Sequence, residues 1–438
     1  MGAEIRKVIG WVGISLLALL VLGLIVRAVF NYTNGRKLEK VIGQMKSAGI
    51  PLTLQDIEPK CPDRDNAALA WKAAEALLAV EKEDRSLLGD TIQDVFYGRP
   101  LDSEQEQRLK AIIDSQRRLI GFIIEAAAKP CFKLSENWAS QAPNIDPVDA
   151  VKMIQVNRLV GVDAVLMAEE GRAAEAVEQC LAGMRFIKLT LQHPFLINYL
   201  VAMADMKQLA VCLQGIMSGR DLPDSLLRRI QEELAVMPWR DGLSRALQGE
   251  RILMVGTAPT NALYTGKGDK LFSWVFRPVI KSELIWMLKH YEEYIKAASL
   301  SYYDNRTTFG ELKRQLNEVP AIYKMAGMLF PNLEAAFLKE ATLEAVLDSA
   351  RLGIACKIYR SASGNYPEKL SDLRPEILEE LPLDPFTGKP YAYRKQDPGF
   401  IVYSLGSNLR DDEGRGTLNI TQLVMEKDDD WFWKEIAR

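Results

Sequence analysis

Residues Val8–Val26 carry no charge and a single hydroxyl, Ser15. As a helix these about 19 residues extend about 28 Å, close to one bilayer core. Arg6 and Lys7 bound the run on one side and Arg27 on the other, and Trp11 and Tyr32 stand where interface anchors are expected. The competing reading is a cleaved signal peptide. The run is long for one, and no small-x-small cleavage site follows it, so the pattern favours an uncleaved single-span anchor.

Beyond the anchor the apolar period changes to three and four. Asp65-Asn66 precedes A-A-L-A-W-K-A-A-E-A-L-L, a capped helix start. Asp146-Pro147 opens another helix, with Met153, Val156, Val160, Ala164 and Met167 on one stripe. Val177, Cys180, Met184, Ile187 and Leu191 form a second stripe, and Phe195–Gln214 is a very apolar third helix. Leu222-Pro223-Asp224 begins a fourth, ending near Pro238. Ser273–Tyr294 is aromatic but interrupted by Lys281 and Glu283. It reads as a buried helix near the membrane rather than a second span.

After about residue 341 the pattern shifts again. Leu343, Leu347, Ala350, Ile354 and Ile358 define one helix face, and S-A-S-G-N at Ser361–Asn365 ends it, with Gly364 near the capping position. A short turn-and-helix connector leads to two strands, Tyr391–Arg394 and Phe400–Tyr403, joined by Asp397-Pro398-Gly399 as an antiparallel hairpin. The predicted fold is mainly α. It has a single N-terminal transmembrane helix (residues 1–33), an irregular α-helical domain (34–340) and a small α+β C-terminal module with a short antiparallel sheet (341–438).

Composition narrows the chemistry. The net charge of -3 and the absence of a long basic run give no electrostatic case for nucleic acid. His193 and His290 are the only histidines, which excludes a three-His metal site and constrains any His-based triad. The five cysteines are scattered without C-x-x-C. Cys180, Cys212 and Cys356 fall in apolar helical patterns and read as small buried hydrophobes. Cys61 and Cys131 adjoin prolines in loops; a bridge between them is possible, but nothing in the pattern supports one.

Familiar motifs are weak or missing. M-A-E-E-G-R-A-A-E-A-V-E-Q-C-L at Met167–Leu181 is similar to one hairpin of a tetratricopeptide repeat, but no second copy follows about 34 residues on, so an ordinary helical hairpin is preferred. Gly266-Lys267-Gly268 is not a phosphate loop: Asn261 stands where Gly is needed, and no Ser or Thr follows the lysine. There is no G-x-S-x-G, H-E-x-x-H or G-x-G-x-x-G. A helical-repeat (tetratricopeptide-like) scaffold, or a hydrolase with an unrecognised carboxylate site, is the alternative to a structural or interaction role.

Tyr366-Pro367, Asp384-Pro385-Phe386, Gly388, Pro390-Tyr391, Tyr393 and Tyr403-Ser404-Leu405-Gly406 form an ordered series. Together they make the region from Leu343 to Asp412 resemble the C-terminal region of type II secretion major pseudopilins. The whole chain also resembles bacterial membrane-anchored proteins of unassigned function that join an anchor, a helical region and this tail. The pseudopilin resemblance implies a calcium site after Y-S-x-G. Leu405 would offer a carbonyl, Asn408 would stand at an acidic ligand position, and Asp411 and Asp412, or Asp428 and Asp429, would supply later carboxylates. Asn408 and the longer spacing depart from that pattern. So does the N-terminus, which lacks the processed Gly-Phe junction and stands roughly three hundred residues from the tail. The expectation is a shared tail fold without pseudopilus assembly.

The expected partners are the membrane, through Val8–Val26, and other proteins. Arg27, Arg36, Lys37 and Lys40 outnumber Arg6 and Lys7, a count that would hold the bulk of the chain in the cytoplasm. The implied calcium site and the resemblance point the other way. The expected location is a single pass through the cytoplasmic (inner) membrane with the bulk periplasmic.

Overall fold

The computed structural model describes residues 2–96, 99–134, 138–139, 150–236, 239–257, 270–319, 333–396, 398–415 and 431–435. Helix α1, Gly2–Ser47, is one unbroken helix of 46 residues. The apolar side chains from Val8 to Val26 are exposed, with no protein covering them, as a bilayer span requires. The part beyond Arg27 belongs to the folded body.

The body is helical. After α1 come α2 (Ala67–Leu77), α3 (Lys82–Phe96), α4 (Ser103–Ala127), α5 (Ala150–Glu169), α6 (Ala173–Thr190), α7 (Leu196–Met217), α8 (Asp224–Ala235), α9 (Trp239–Thr257), α10 (Lys270–Ala297), α11 (Tyr302–Asn317) and α12 (Leu333–Ser363). Helix α7 is long and apolar enough to cross a membrane, yet 83% of its most apolar window is buried inside the protein. It is the central core helix, packed by α3, α5, α6, α9 and α12.

Local chemistry explains the first corner. Asn66 caps α2 by accepting from the Ala68 amide at 3.0 Å. The same side chain accepts from the Lys133 amide at 2.9 Å and donates to the Lys133 carbonyl at 2.7 Å. The Ala67 amide donates to the Cys131 carbonyl at 2.8 Å. The segment after α4 is thus stitched beside the start of α2, and Cys61 and Cys131 meet in a disulfide with Cα atoms 5.8 Å apart. Their pairing depends on contacts between residues far apart in sequence. Cys180, Cys212 and Cys356 are buried free thiols, as their apolar settings indicated.

Helix α12 joins the two halves. It packs on α7 and α8 on one side and on the sheet on the other, so it is buried nearly all round. Gly364 follows it with φ +80°, a conformation that glycine adopts without Cβ strain. A 3-10 turn, Leu370–Leu373, leads to strands β1 (Ala392–Gln396), β2 (Gly399–Ser404) and β3 (Trp431–Lys434), in the order β1-β2-β3 with both pairs antiparallel. Ala392 opposes Tyr403 and Gln396 opposes Gly399, so β1 and β2 form the expected hairpin; Asp397 lies outside the described residues. Strand β3 was not expected. Its Trp433 packs over Gly353 of α12, where a Cβ would stand 2.2 Å from the indole ring. One hydrophobic core runs from Ala67 to Trp433, and α12 passes unbroken through residues 340 and 341.

Candidate functional site

The three acidic residues Glu340, Glu344 and Asp348 recur every four residues on α12, which places them on one helix face. That face borders a cavity of about 330 Å³ between the end of α8, the start of α9 and α12, lined also by Trp239, Arg240 and Arg351. Two of the acids have cationic partners. Arg240 donates to Glu344 at 3.0 Å, and Arg351 donates to Asp348 at 3.2 Å. Asp348 also accepts from the Tyr391 hydroxyl at 3.3 Å, which ties the cavity wall to the residues just before β1.

Glu340 is different. It is 7% exposed, and its Oε1 has no hydrogen-bond partner. The Tyr199 hydroxyl lies nearby without a well-formed hydrogen bond. The indole N–H of Trp239, a buried residue of the cavity wall, likewise has no partner. Burial pushes the Glu340 carboxyl up to about 8, with the Glu344 charge adding to the effect. Burial raises Asp348 to about 7 against the pull of Arg351, and it raises Glu344 as well. A protonated Glu340 above an Arg-paired Glu344 gives the wall one proton donor and one carboxylate, the division of labour that acid–base chemistry uses.

The tail's signature residues have structural work. Asp384, 1% exposed, accepts from the Phe386 amide at 2.8 Å and from the Leu405 amide at 3.1 Å. Its carboxylate pins the D-P-F-T-G turn to the end of β2. Phe386 packs on Ala341 and Ala345 of α12. The Tyr393 hydroxyl donates to the Pro367 carbonyl at 2.6 Å.

At the implied calcium loop, Asn408 donates to Asp412 at 2.9 Å, and its Oδ1 accepts from the Arg410 amide at 2.8 Å. Asp411 turns to the sheet instead: one oxygen accepts from the Tyr403 hydroxyl at 3.0 Å and from the Glu413 amide at 2.9 Å. Leu405 is fixed through its amide to Asp384. The structure thus brings Asn408 to Asp412 and holds Asp411 against Tyr403, with donors already on these oxygens. Asp428 and Asp429 lie outside the described residues. Among the described residues, no group of three or more His, Cys, Asp or Glu is placed to hold a metal ion.

Sequence reasoning did not single out the α12 acids. Their signal was present as acids at steps of four in an otherwise apolar helix. Comparison with family models, with curated proteins and with solved structures returned no match, so what is established is a membrane-anchored, largely α-helical chain with a small folded C-terminal module.

Proposed function

We propose that this chain is an envelope protein tethered by one pass through the cytoplasmic membrane, its bulk outside the cytoplasm, with a structural or protein-interaction role. The Cys61–Cys131 pair carries this reading. Disulfides persist in oxidising compartments and are rare in the reducing cytosol. That argument outweighs the basic count after the span, because long domains translocate largely regardless of such counts. The test is a pair of C-terminal fusions, one to a reporter active only outside the cytoplasm and one to a reporter active only inside. Activity of the second alone would sink the proposal.

A pseudopilin-type tail is part of this proposal. It is supported by the order of parts, with a long helix, a turn-rich connector and then an antiparallel hairpin, and by the turn-pinning role of Asp384. Calcium at Leu405, Asn408, Asp411 and Asp412 would have to be shared with the hydrogen bonds that Asn408 and one oxygen of Asp411 now make. The melting temperature of the full chain decides it, since a ligand bound only by the native state must raise it. A rise with millimolar calcium that chelator reverses and Asp412→Asn abolishes supports the site; no rise leaves a solvated acidic loop.

A second reading, a hydrolase, draws on the α12 cavity, where Glu340 and Glu344 differ in environment. A panel of chromogenic glycosides, esters and peptides across pH 5–9 tests it. Turnover lost in Glu340→Gln with the melting temperature retained would favour an enzyme. Absence of turnover throughout the panel would count against it.

A further inference from the structure

The start of α10 lies at the level where the span ends. The Arg27 guanidinium stacks 3.4 Å above the Trp274 ring, and its Nε donates to the Trp274 carbonyl at 3.1 Å. Further along, Asn34 donates to the Pro278 carbonyl at 2.9 Å, and Lys281 donates to the Asn31 carbonyl at 3.4 Å. Both helices therefore run in the same direction, away from the bilayer edge that Arg27 marks as the first charge after Val26. Trp274, Val275 and Phe276 are 42%, 42% and 40% exposed, whereas Pro278 and most positions beyond it are buried or half-buried. Large exposed apolar side chains on α10 are thus confined to its membrane end, continuous with the exposed span of α1.

We infer that the membrane end of α10 is a second lipid contact, with Trp274, Val275 and Phe276 inserted at the boundary between headgroups and acyl chains. Position supplies the occupant, because a bilayer that ends at Arg27 meets whatever is packed against Arg27. Chemistry agrees. Tryptophan favours that boundary, with its ring in the apolar layer and its N–H toward water, and the adjacent exposed Arg277 suits anionic headgroups. The body would then be held by two contacts, a span and an interfacial helix end, which fixes its tilt. This holds whichever side of the membrane the body occupies.

The test uses the full chain in vesicles of phosphatidylcholine and phosphatidylglycerol. The native cysteines are bridged or buried, so a cysteine introduced at Val275 (Val275→Cys) takes an environment-sensitive fluorophore selectively. A second variant, Val236→Cys, labels a site 72% exposed in the body. The expected result is blue-shifted emission at position 275, quenched at least twofold more by a lipid spin label near the headgroup than by one deep in the acyl chain. Position 236 should be unquenched by either. Adding Trp274→Asp and Phe276→Asp should release the label at 275 to water while the chain stays with the vesicles. Emission at 275 as water-like as at 236 would overturn the proposal. So would quenching between labelled copies without lipid quenching, which would assign the patch to a second copy of the chain.

Discussion

Lys357 of α12 and Glu435, just beyond β3, form an ion pair at 2.8 Å with side chains only 5% and 6% exposed. Glu435 also accepts from the Gly219 amide at 3.0 Å, and Lys357 donates to the Met217 carbonyl at 3.1 Å. Three elements thus converge on one buried pair. Removing one partner strands a charge, so Glu435→Leu is expected to destabilise the fold by about 3–5 kcal/mol. Replacing both, with Lys357→Met, should recover much of the loss. Denaturant melts of the single and double variants check this; equal losses in both would contradict it.

Trp433 and Gly353 make a second, apolar fastening of the sheet. A Cβ at residue 353 would collide with the indole, so Gly353→Ala is expected to cost about 1–3 kcal/mol through overpacking. Trp433→Ala should cost about 3–5 kcal/mol, as expected for a buried aromatic. In the double variant the alanine methyl has room, so the two losses should be less than additive.

The buried acids set a pH dependence. Glu340 and Asp348 titrate near 4 in an unfolded chain but are raised to about 8 and about 7 in the folded one. Buried Asp205 behaves alike, raised to about 8. The folded protein therefore binds more protons between about pH 4 and pH 8. Stability from these groups is fully present below the unfolded value and is lost as pH rises through 7 and 8. Buried His193, lowered to about 4, acts in the opposite sense below its unfolded value of about 6.5. Three raised carboxyls outweigh the one histidine even between about pH 4 and pH 6.5, so melting temperature is expected to be highest near about pH 4–5, to fall as pH rises and to level off above about pH 8. Glu340→Gln should flatten the alkaline side by an amount on the order of 2 kcal/mol once solvent relaxation is allowed for. An unchanged slope would mean that Glu340 is solvated.

Cys61 and Cys131 close a loop with a sequence separation of 70. Reduction, or Cys61→Ser, is expected to lower stability by about 2–4 kcal/mol. Calorimetry with and without reductant measures the change. A mobility difference on non-reducing gels shows whether the bridge forms in the cell.

The helices were legible because their signals are local. The Asn66 cap, the stripes ending at Met167 and Leu191, and the span all follow from residues near one another in sequence. The β1–β2 hairpin was legible for the same reason. Strand β3 was not: its four residues, Trp431–Lys434, are too short to show a period of their own. They follow a run of aspartates that read as loop or ligand. The disulfide, which the sequence leaves open, and the α12 cavity are not legible in it because both arise from tertiary packing. The stripe from Leu343 to Ile358 suggested one buried face, whereas α12 is enclosed by helices on one side and strands on the other. Glu340, Glu344 and Asp348 therefore carry no local signal that separates them from acids on a solvent-facing helix side.

Helix α1 has no break between the span and the body, and α10 lies along it from Arg27 onward. The body begins at once beyond its end: Arg251, on α9, donates to the Pro51 carbonyl at 2.5 Å. Such a rod transmits torsion. A turn of the span about its own axis must rotate everything fastened outside. Inserting one residue next to Val26 would swing the lipid-facing surface by about 100° relative to the body, and inserting a full turn of residues would nearly restore it. The membrane segment thus sets a compass bearing for the protein as well as an attachment point.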